Sequence, residues 1–178
     1  MTSTTTYSNL GKMSDKKYTS IRLKDMTEVF QDYKKSGILL CVSFCDWKCC
    51  KEANIPESVC QNNKIASQEI HEIEFKDLIK VVKNSYTDSV IFAGLEPLLQ
   101  IDEVVSCIEA LRDSGVTKDI LIYTGYYLEE IDSRTIEKLK TLKVILKCGR
   151  YIPDRPSKYD EVLGVTLVSD NQYGVKLY

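Results

Sequence analysis

Short apolar runs that alternate with stretches of helical periodicity constrain this chain more than any other feature. The runs are "GILLCVSF" (Gly37 to Phe44), "SVIFAG" (Ser89 to Gly94), "DILIYTG" (Asp119 to Gly125) and "KVILKCG" (Lys143 to Gly149). Each is short, nearly continuous in its apolar character and bounded by glycine or polar residues, the pattern of a strand buried on both faces. Between them, Phe75, Leu78, Ile79 and Val82 recur at helical spacing, as do Val104, Cys107, Ile108 and Leu111. A third helical stretch carries Ile136 and Leu139 behind a cap at Asp132 or Ser133. A further run, "VLGVTLV" (Val162 to Val168), supplies another strand near the end. Strands joined by helices imply right-handed crossovers, so the expected class is α/β with a mainly parallel sheet. The binding site is then expected beyond the C-terminal ends of the strands.

A length of 178 residues with 43% apolar content suits one domain with a sizeable core. Residues 1–18, rich in Ser, Thr and Lys and without periodicity, are expected as a flexible tail before a single domain over 19–178. The 24 basic and 26 acidic residues leave a formal charge of -2, which favours neither nucleic acid nor an anionic membrane as partner. No apolar run reaches the ~20 residues of a spanning helix, and the first residues lack the apolar core of a secretory signal. A cytoplasmic location is therefore expected.

Four of the seven cysteines, Cys45, Cys49, Cys50 and Cys60, crowd into the segment that follows the first strand. An odd, clustered set is unlike the dispersed even framework of a disulfide-bonded secreted domain. Three chemistries compete for them. A structural zinc site asks for closely spaced pairs such as Cys-x2-Cys, which the segment lacks, and His71 stands eleven residues beyond Cys60 in charged surroundings. Free buried thiols suit Cys41, Cys107 and Cys148, which lie in apolar patterns, but not the loop cysteines, which interleave with Asp46, Lys48, Lys51 and Glu52. The third chemistry is an iron-sulfur cluster held by thiolates.

The segment resembles the cluster loop of the radical S-adenosylmethionine (SAM) superfamily, and specifically the activating protein of the anaerobic ribonucleotide reductase. In that superfamily three cysteines, usually Cys-x3-Cys-x2-Cys, follow the first strand and hold three irons of a 4Fe-4S cluster. Here Cys45-x3-Cys49 keeps the first spacing, and "CQN" (Cys60 to Asn62) is similar to the "CHN" that closes the activase loop, with Cys50 as the alternative third ligand. The insertion before Cys60 is tolerable because loop-closure entropy grows only logarithmically with length. Val59 stands where the family carries an aromatic residue. "AGLEP" (Ala93 to Pro97) resembles the "GGEP" motif, with Leu95 for the second glycine, so a positive φ there would be strained. "IYTGY" (Ile122 to Tyr126), "CGRY" (Cys148 to Tyr151) and "SDNQY" (Ser169 to Tyr173) resemble the activases' "TGY", "DGR" and "GSxNQR" segments.

The resemblance implies a partial (β/α)6-type radical SAM barrel. It also implies a 4Fe-4S cluster on Cys45, Cys49 and Cys60, and SAM as cosubstrate chelated by the open iron. Gly94, Leu95, Glu96 and Pro97 would meet the methionine end, and Thr124, Gly125, Ser169 and Asn171 the nucleoside end. An electron from a flavodoxin-like donor would cleave SAM to methionine and a 5′-deoxyadenosyl radical, the protein supplying position and dryness. No general acid, base or nucleophile is assigned, and Glu129, Glu130 and Asp132 are expected on a solvated helix face. The first functional expectation is a glycyl-radical activase whose partner is the large subunit of an anaerobic ribonucleotide reductase. A radical SAM enzyme acting on another protein or a small molecule is the second. A non-enzymatic iron-sulfur or zinc-binding protein is the third.

Overall fold

The computed structural model describes residues 12–178. Its centre is a seven-stranded sheet built from β1 (Ser20–Val29), β2 (Gly37–Val42), β3 (His71–Glu74), β4 (Ser89–Ala93), β5 (Asp119–Tyr123), β6 (Val144–Cys148) and, after a two-stranded ribbon of β7 (Lys158–Asp160) and β8 (Val165–Leu167), β9 (Tyr173–Lys176). The order is β3-β1-β2-β4-β5-β6-β9. The four inner strands β2, β4, β5 and β6 run parallel, and antiparallel strands close both flanks. The class is thus mixed α/β with a mainly parallel centre. Six parallel strands were expected from the family, and four are present among the described residues. The sheet is open, since its terminal strands β3 and β9 are not neighbours.

The "VLGVTLV" run does not enter this sheet. Its residues Val165–Leu167 pair antiparallel with Lys158–Asp160 instead. Gly164 explains the interruption, for it sits at φ +70 in the middle of the run and turns the chain.

Side-chain alternation gives the parallel strands two different faces. Ile38, Leu40, Val90, Phe92, Ile120, Ile122, Val144 and Leu146 face one core, where they meet helix α3 (Phe75–Asn84), α4 (Ile101–Asp113) and α5 (Ser133–Thr141). All three helices bury the stripes read from the sequence: Leu78 and Val82, then Val104, Cys107, Ile108 and Leu111, then Leu139. Asp132 is the cap of α5, its carboxylate accepting from Thr135 N at 3.2 Å. The opposite face carries Ile91, Ala93, Leu121 and Ile145. Its lower part is covered by Tyr33 from the β1–β2 loop and by Leu163 and Leu167 of the ribbon. Tyr33 is anchored there by donating to Asp119 at 3.0 Å. Among the described residues no helix packs into this second core, and the strand ends above it, at Ala93, Tyr123 and Lys147, line an open cleft.

Residues 1–11 of the expected tail lie outside the described residues. Within 12–18, Ser14 donates to the Asp102 carboxylate through both N and Oγ, at 2.7 and 2.6 Å, and Tyr18 N donates to Ser106 Oγ at 3.3 Å. Among the described residues no helix is long and apolar enough to cross a membrane.

Candidate functional site

The cysteine segment leaves β2 at the C-terminal edge of the sheet, where Ser43 N donates to the buried Gln100 side chain at 2.8 Å. Trp47 then takes a left-handed conformation, φ 58, and reverses the chain into a short helix α1 (Lys48–Ala53), which Asn54 ends at φ 53. A 3-10 turn (Glu57–Val59) and the single-turn helix α2 (Asn63–Ala66) return the chain toward β3. These reversals bring Cys45, Cys49, Cys50 and Cys60 onto one wall of a cleft of about 520 Å³. The facing wall is made by the ends of three parallel strands: Gly94, Leu95 and Glu96 after β4, Thr124 and Gly125 after β5, and Lys147 with Gly149 at β6.

Two glycines allow close approaches here, Gly94 to Cys41 of β2 and Gly125 to Cys49 of the loop. Gly94 has φ +84, and a Cβ there would meet Cys41 Cβ at 3.0 Å and Cys41 Cα at 3.1 Å. A Cβ on Gly125 would stand 2.9 Å from Cys49 Sγ. The positive φ therefore falls on Gly94, and Leu95 is not among the positive-φ residues, so the strain expected at Leu95 is absent.

Burial dominates the electrostatics. It pushes the Cys45 thiol up to about 12, against the opposing Trp47 N–H that points to its sulfur at 3.4 Å. Cys49 is also raised by burial, opposed by the Tyr151 N–H and the nearby cations Lys147 and Arg150. Burial lowers Lys147 to about 8. Glu96, fully enclosed, is raised to about 7 by burial although its oxygens accept from Leu98 N, Thr124 Oγ1 and Gly125 N at 3.0, 2.7 and 3.0 Å.

Residues 35–172, from just before β2 to just before β9, match the family described as a 4Fe-4S single cluster domain. The chain belongs to that iron-sulfur family. No curated protein and no solved structure matches it. The 4Fe-4S domain spans the whole parallel core and all four loop cysteines, and leaves β1 outside.

The donors of the cleft fit such a cluster. They are soft sulfur ligands, and two of them already receive main-chain N–H groups, a feature that stabilises thiolate in a partly dry site. Burial raises Cys45, Cys49 and Cys50 toward the thiol form, so binding a cluster on any of them works against that burial and displaces protons. Among the described residues no three His, Cys, Asp or Glu converge on one point. A mononuclear zinc site needs that convergence, with sulfurs about 2.3 Å from the ion. A four-iron cluster takes each thiolate on a different iron. Cys41, Cys107 and Cys148 lie in the cores, each under 3% exposed. His71 is exposed on β3.

The remaining expected residues fall in several places. Pro97, Ser169 and Asn171 are not among the residues lining the cleft. Pro97 opens the 3-10 turn that Glu96 caps. Ser169 Oγ pairs with both N and O of Ile152, at 3.1 and 3.0 Å, and Asn171 Nδ2 donates to Tyr127 OH and Arg150 O at 3.0 and 2.8 Å. Ser169 and Asn171 brace the segment after β6 from behind. The expectation of a solvated helix face fails for Glu130 and Asp132: Asp132 is a helix cap, and Glu130, in a 3-10 turn, is ion-paired with Arg150 and Lys48. Sequence reasoning also passed over Lys147 and Gln172. Lys147 breaks an otherwise apolar buried strand, which is itself a signal of a functional position. Gln172, inside the "SDNQY" segment but given no role there, lines the cleft with its Oε1 buried and unpaired.

Proposed function

We propose that this iron-sulfur protein is a radical SAM enzyme, with Cys45, Cys49 and Cys60 as cluster ligands and one iron left for SAM. The observation that carries this reading is that the loop thiols line one cleft together with the turns that end β4 and β5, with Cys49 Sγ close against Gly125. When bound, the cluster supplies the electron that breaks a carbon–sulfur bond of SAM. The chain's own residues bind and orient. In this reading the main chain at Gly94 and Leu95, which lines the cleft, receives the methionine amino group. Glu96 holds the β4 and β5 turns in register through its three hydrogen bonds. Lys147 offers a cation to an anionic group in the cleft, and Trp47, Val59 and Tyr151 line the rest of the wall.

The acceptor in this proposal is a macromolecule, the large subunit of an anaerobic ribonucleotide reductase bearing a glycine loop, and the electron source is flavodoxin-like. The open sheet and the accessible cleft support a large acceptor, as do the activase-like segments at Cys60, Thr124 and Gly149. Chromatography of reduced, clustered protein with SAM should show methionine and 5′-deoxyadenosine. With the reductase added, a glycyl radical doublet should appear in electron paramagnetic resonance and collapse when the α-hydrogen is replaced by deuterium. SAM cleavage with no radical on the reductase would move the assignment to another acceptor.

One observation favours a second reading. Cys50 lines the same cleft as Cys60, and the nearby Cys60 is among the groups that raise its thiol, after burial. Four thiolates would fill every iron and leave no site for SAM, which describes a non-enzymatic 4Fe-4S protein. Replacement of Cys50 by Ala separates the two, since only the second reading requires it for a full cluster.

A further inference from the structure

Helix α1 carries Cys49 and Cys50 yet has little to hold itself in place. It has six residues, no side-chain cap at its start, and left-handed residues at both ends. Such a helix has no stability of its own, so its orientation is set by what it is tied to.

The ties are the charged residues that interleave with the cysteines, and they converge on Arg150. The Arg150 side chain is 9% exposed. Its Nη1 and Nη2 fork onto the Glu130 carboxylate at 2.6 and 2.9 Å, and its Nε pairs with Glu52 of α1. Nη1 also donates to Gly125 O at 3.1 Å, and the guanidinium lies 4.4 Å from the centre of the Tyr127 ring. Lys48, one helical turn before Glu52, reaches the same Glu130 at 2.7 Å and stacks on Tyr126 at 4.5 Å. The Tyr126 hydroxyl donates to Asp46, the residue after Cys45.

We infer that Arg150 is a positioning residue for the cluster: it clamps α1 against the β5 turn and so fixes where Cys49 Sγ stands over Gly125. The chemistry suits the task. A guanidinium presents several donors in one rigid plane, so it serves Glu130, Glu52 and the Gly125 carbonyl together, which a lysine ammonium does not do in that geometry.

The inference rests on the proposal that Cys49 is a ligand, and the test keeps the two apart. Full-length apo protein carrying Arg150→Lys is titrated anaerobically with ferrous iron and sulfide, with cluster absorbance as the readout. It should need at least about tenfold more iron for half-reconstitution when titrated well below its own apo unfolding temperature, so that lost stability is kept apart from lost positioning. Its reduced cluster should show shifted electron paramagnetic resonance g-values. Glu52→Gln cuts the Arg150 tie to α1, together with the longer pair to Lys48 inside the helix, at a half-exposed position, and should shift the titration in the same direction even if Arg150→Lys fails to fold. Wild-type titration and spectra in Glu52→Gln, or in a folded Arg150→Lys, would overturn the inference. Cys49→Ala with a full complement of iron would instead overturn the ligand assignment on which it stands.

Discussion

The Glu96 carboxylate accepts a hydrogen bond from the main-chain nitrogen of Gly125 at 3.0 Å, binding the turn after β4 to the turn after β5. The Thr124 hydroxyl and Leu98 N complete its partners, and every one of them is a donor. A glutamine in its place presents an NH2 group to one of these donors. We therefore expect Glu96→Gln to lose on the order of 1–3 kcal/mol, the cost of a buried group left unpaired. Burial raises Glu96 from 4.5 to about 7. A raised pKa contributes stability that is whole below the unfolded value and is lost as pH rises through the folded one. The loss on mutation should accordingly be larger at pH 5 than at pH 8, as read by urea unfolding. A larger loss at pH 8 would contradict this assignment.

Glu130 behaves in the opposite sense. Burial alone would raise it, but hydrogen bonds from Arg150 and Lys48 bring it down to about 2 from 4.5. A depressed carboxyl stabilises the fold above its unfolded pKa, and that contribution disappears as pH falls from about 4.5 toward 2. Glu130→Gln should flatten the acid limb of the stability curve in that window. An unchanged acid limb would show that the Arg150 fork does not contribute to stability.

The two close approaches at glycine make separable predictions. Gly94→Ala forces a side chain into φ +84 and against the Cys41 backbone, so it should cost at least about 1–2 kcal/mol of stability in thermal unfolding. Gly125 has no positive φ, but its new Cβ would lie 2.9 Å from Cys49 Sγ. Gly125→Ala should therefore lower iron uptake with a smaller change in stability, because the flexible thiol is the group displaced. Equal effects of the two changes on both readouts would contradict the geometry.

The inner strands were legible because burial on both faces leaves an uninterrupted apolar run, as in "SVIFAG", and the helices because Leu78, Val104 and Leu111 repeat at helical spacing. The antiparallel flanks were not. β3 is "HEIE", an exposed charged edge whose pairing is set by register with β1, and β1 alternates Ile21 and Leu23 with charge and then bulges after Leu23. Such strands depend on their neighbours more than on their own composition. At the site, the cysteines and the strand-end turns could be placed from sequence because both sit next to strands. The ion network could not: Glu52, Glu130 and Arg150 are far apart in the chain, and only the fold brings them into contact. Ser169 and Asn171 show the converse, polar residues whose hydrogen bonds are spent on the scaffold.

The central claim is that the cleft holds a 4Fe-4S cluster with one iron not bound by cysteine. It is tested most directly by the electron paramagnetic resonance spectrum of the reduced, reconstituted protein, recorded with and without SAM in wild type and in Cys50→Ala. The account predicts a reduced-cluster signal in both proteins that shifts when SAM is added, because SAM occupies the open iron. A spectrum that SAM leaves unchanged in the wild type, together with loss of the cluster in Cys50→Ala, would contradict it.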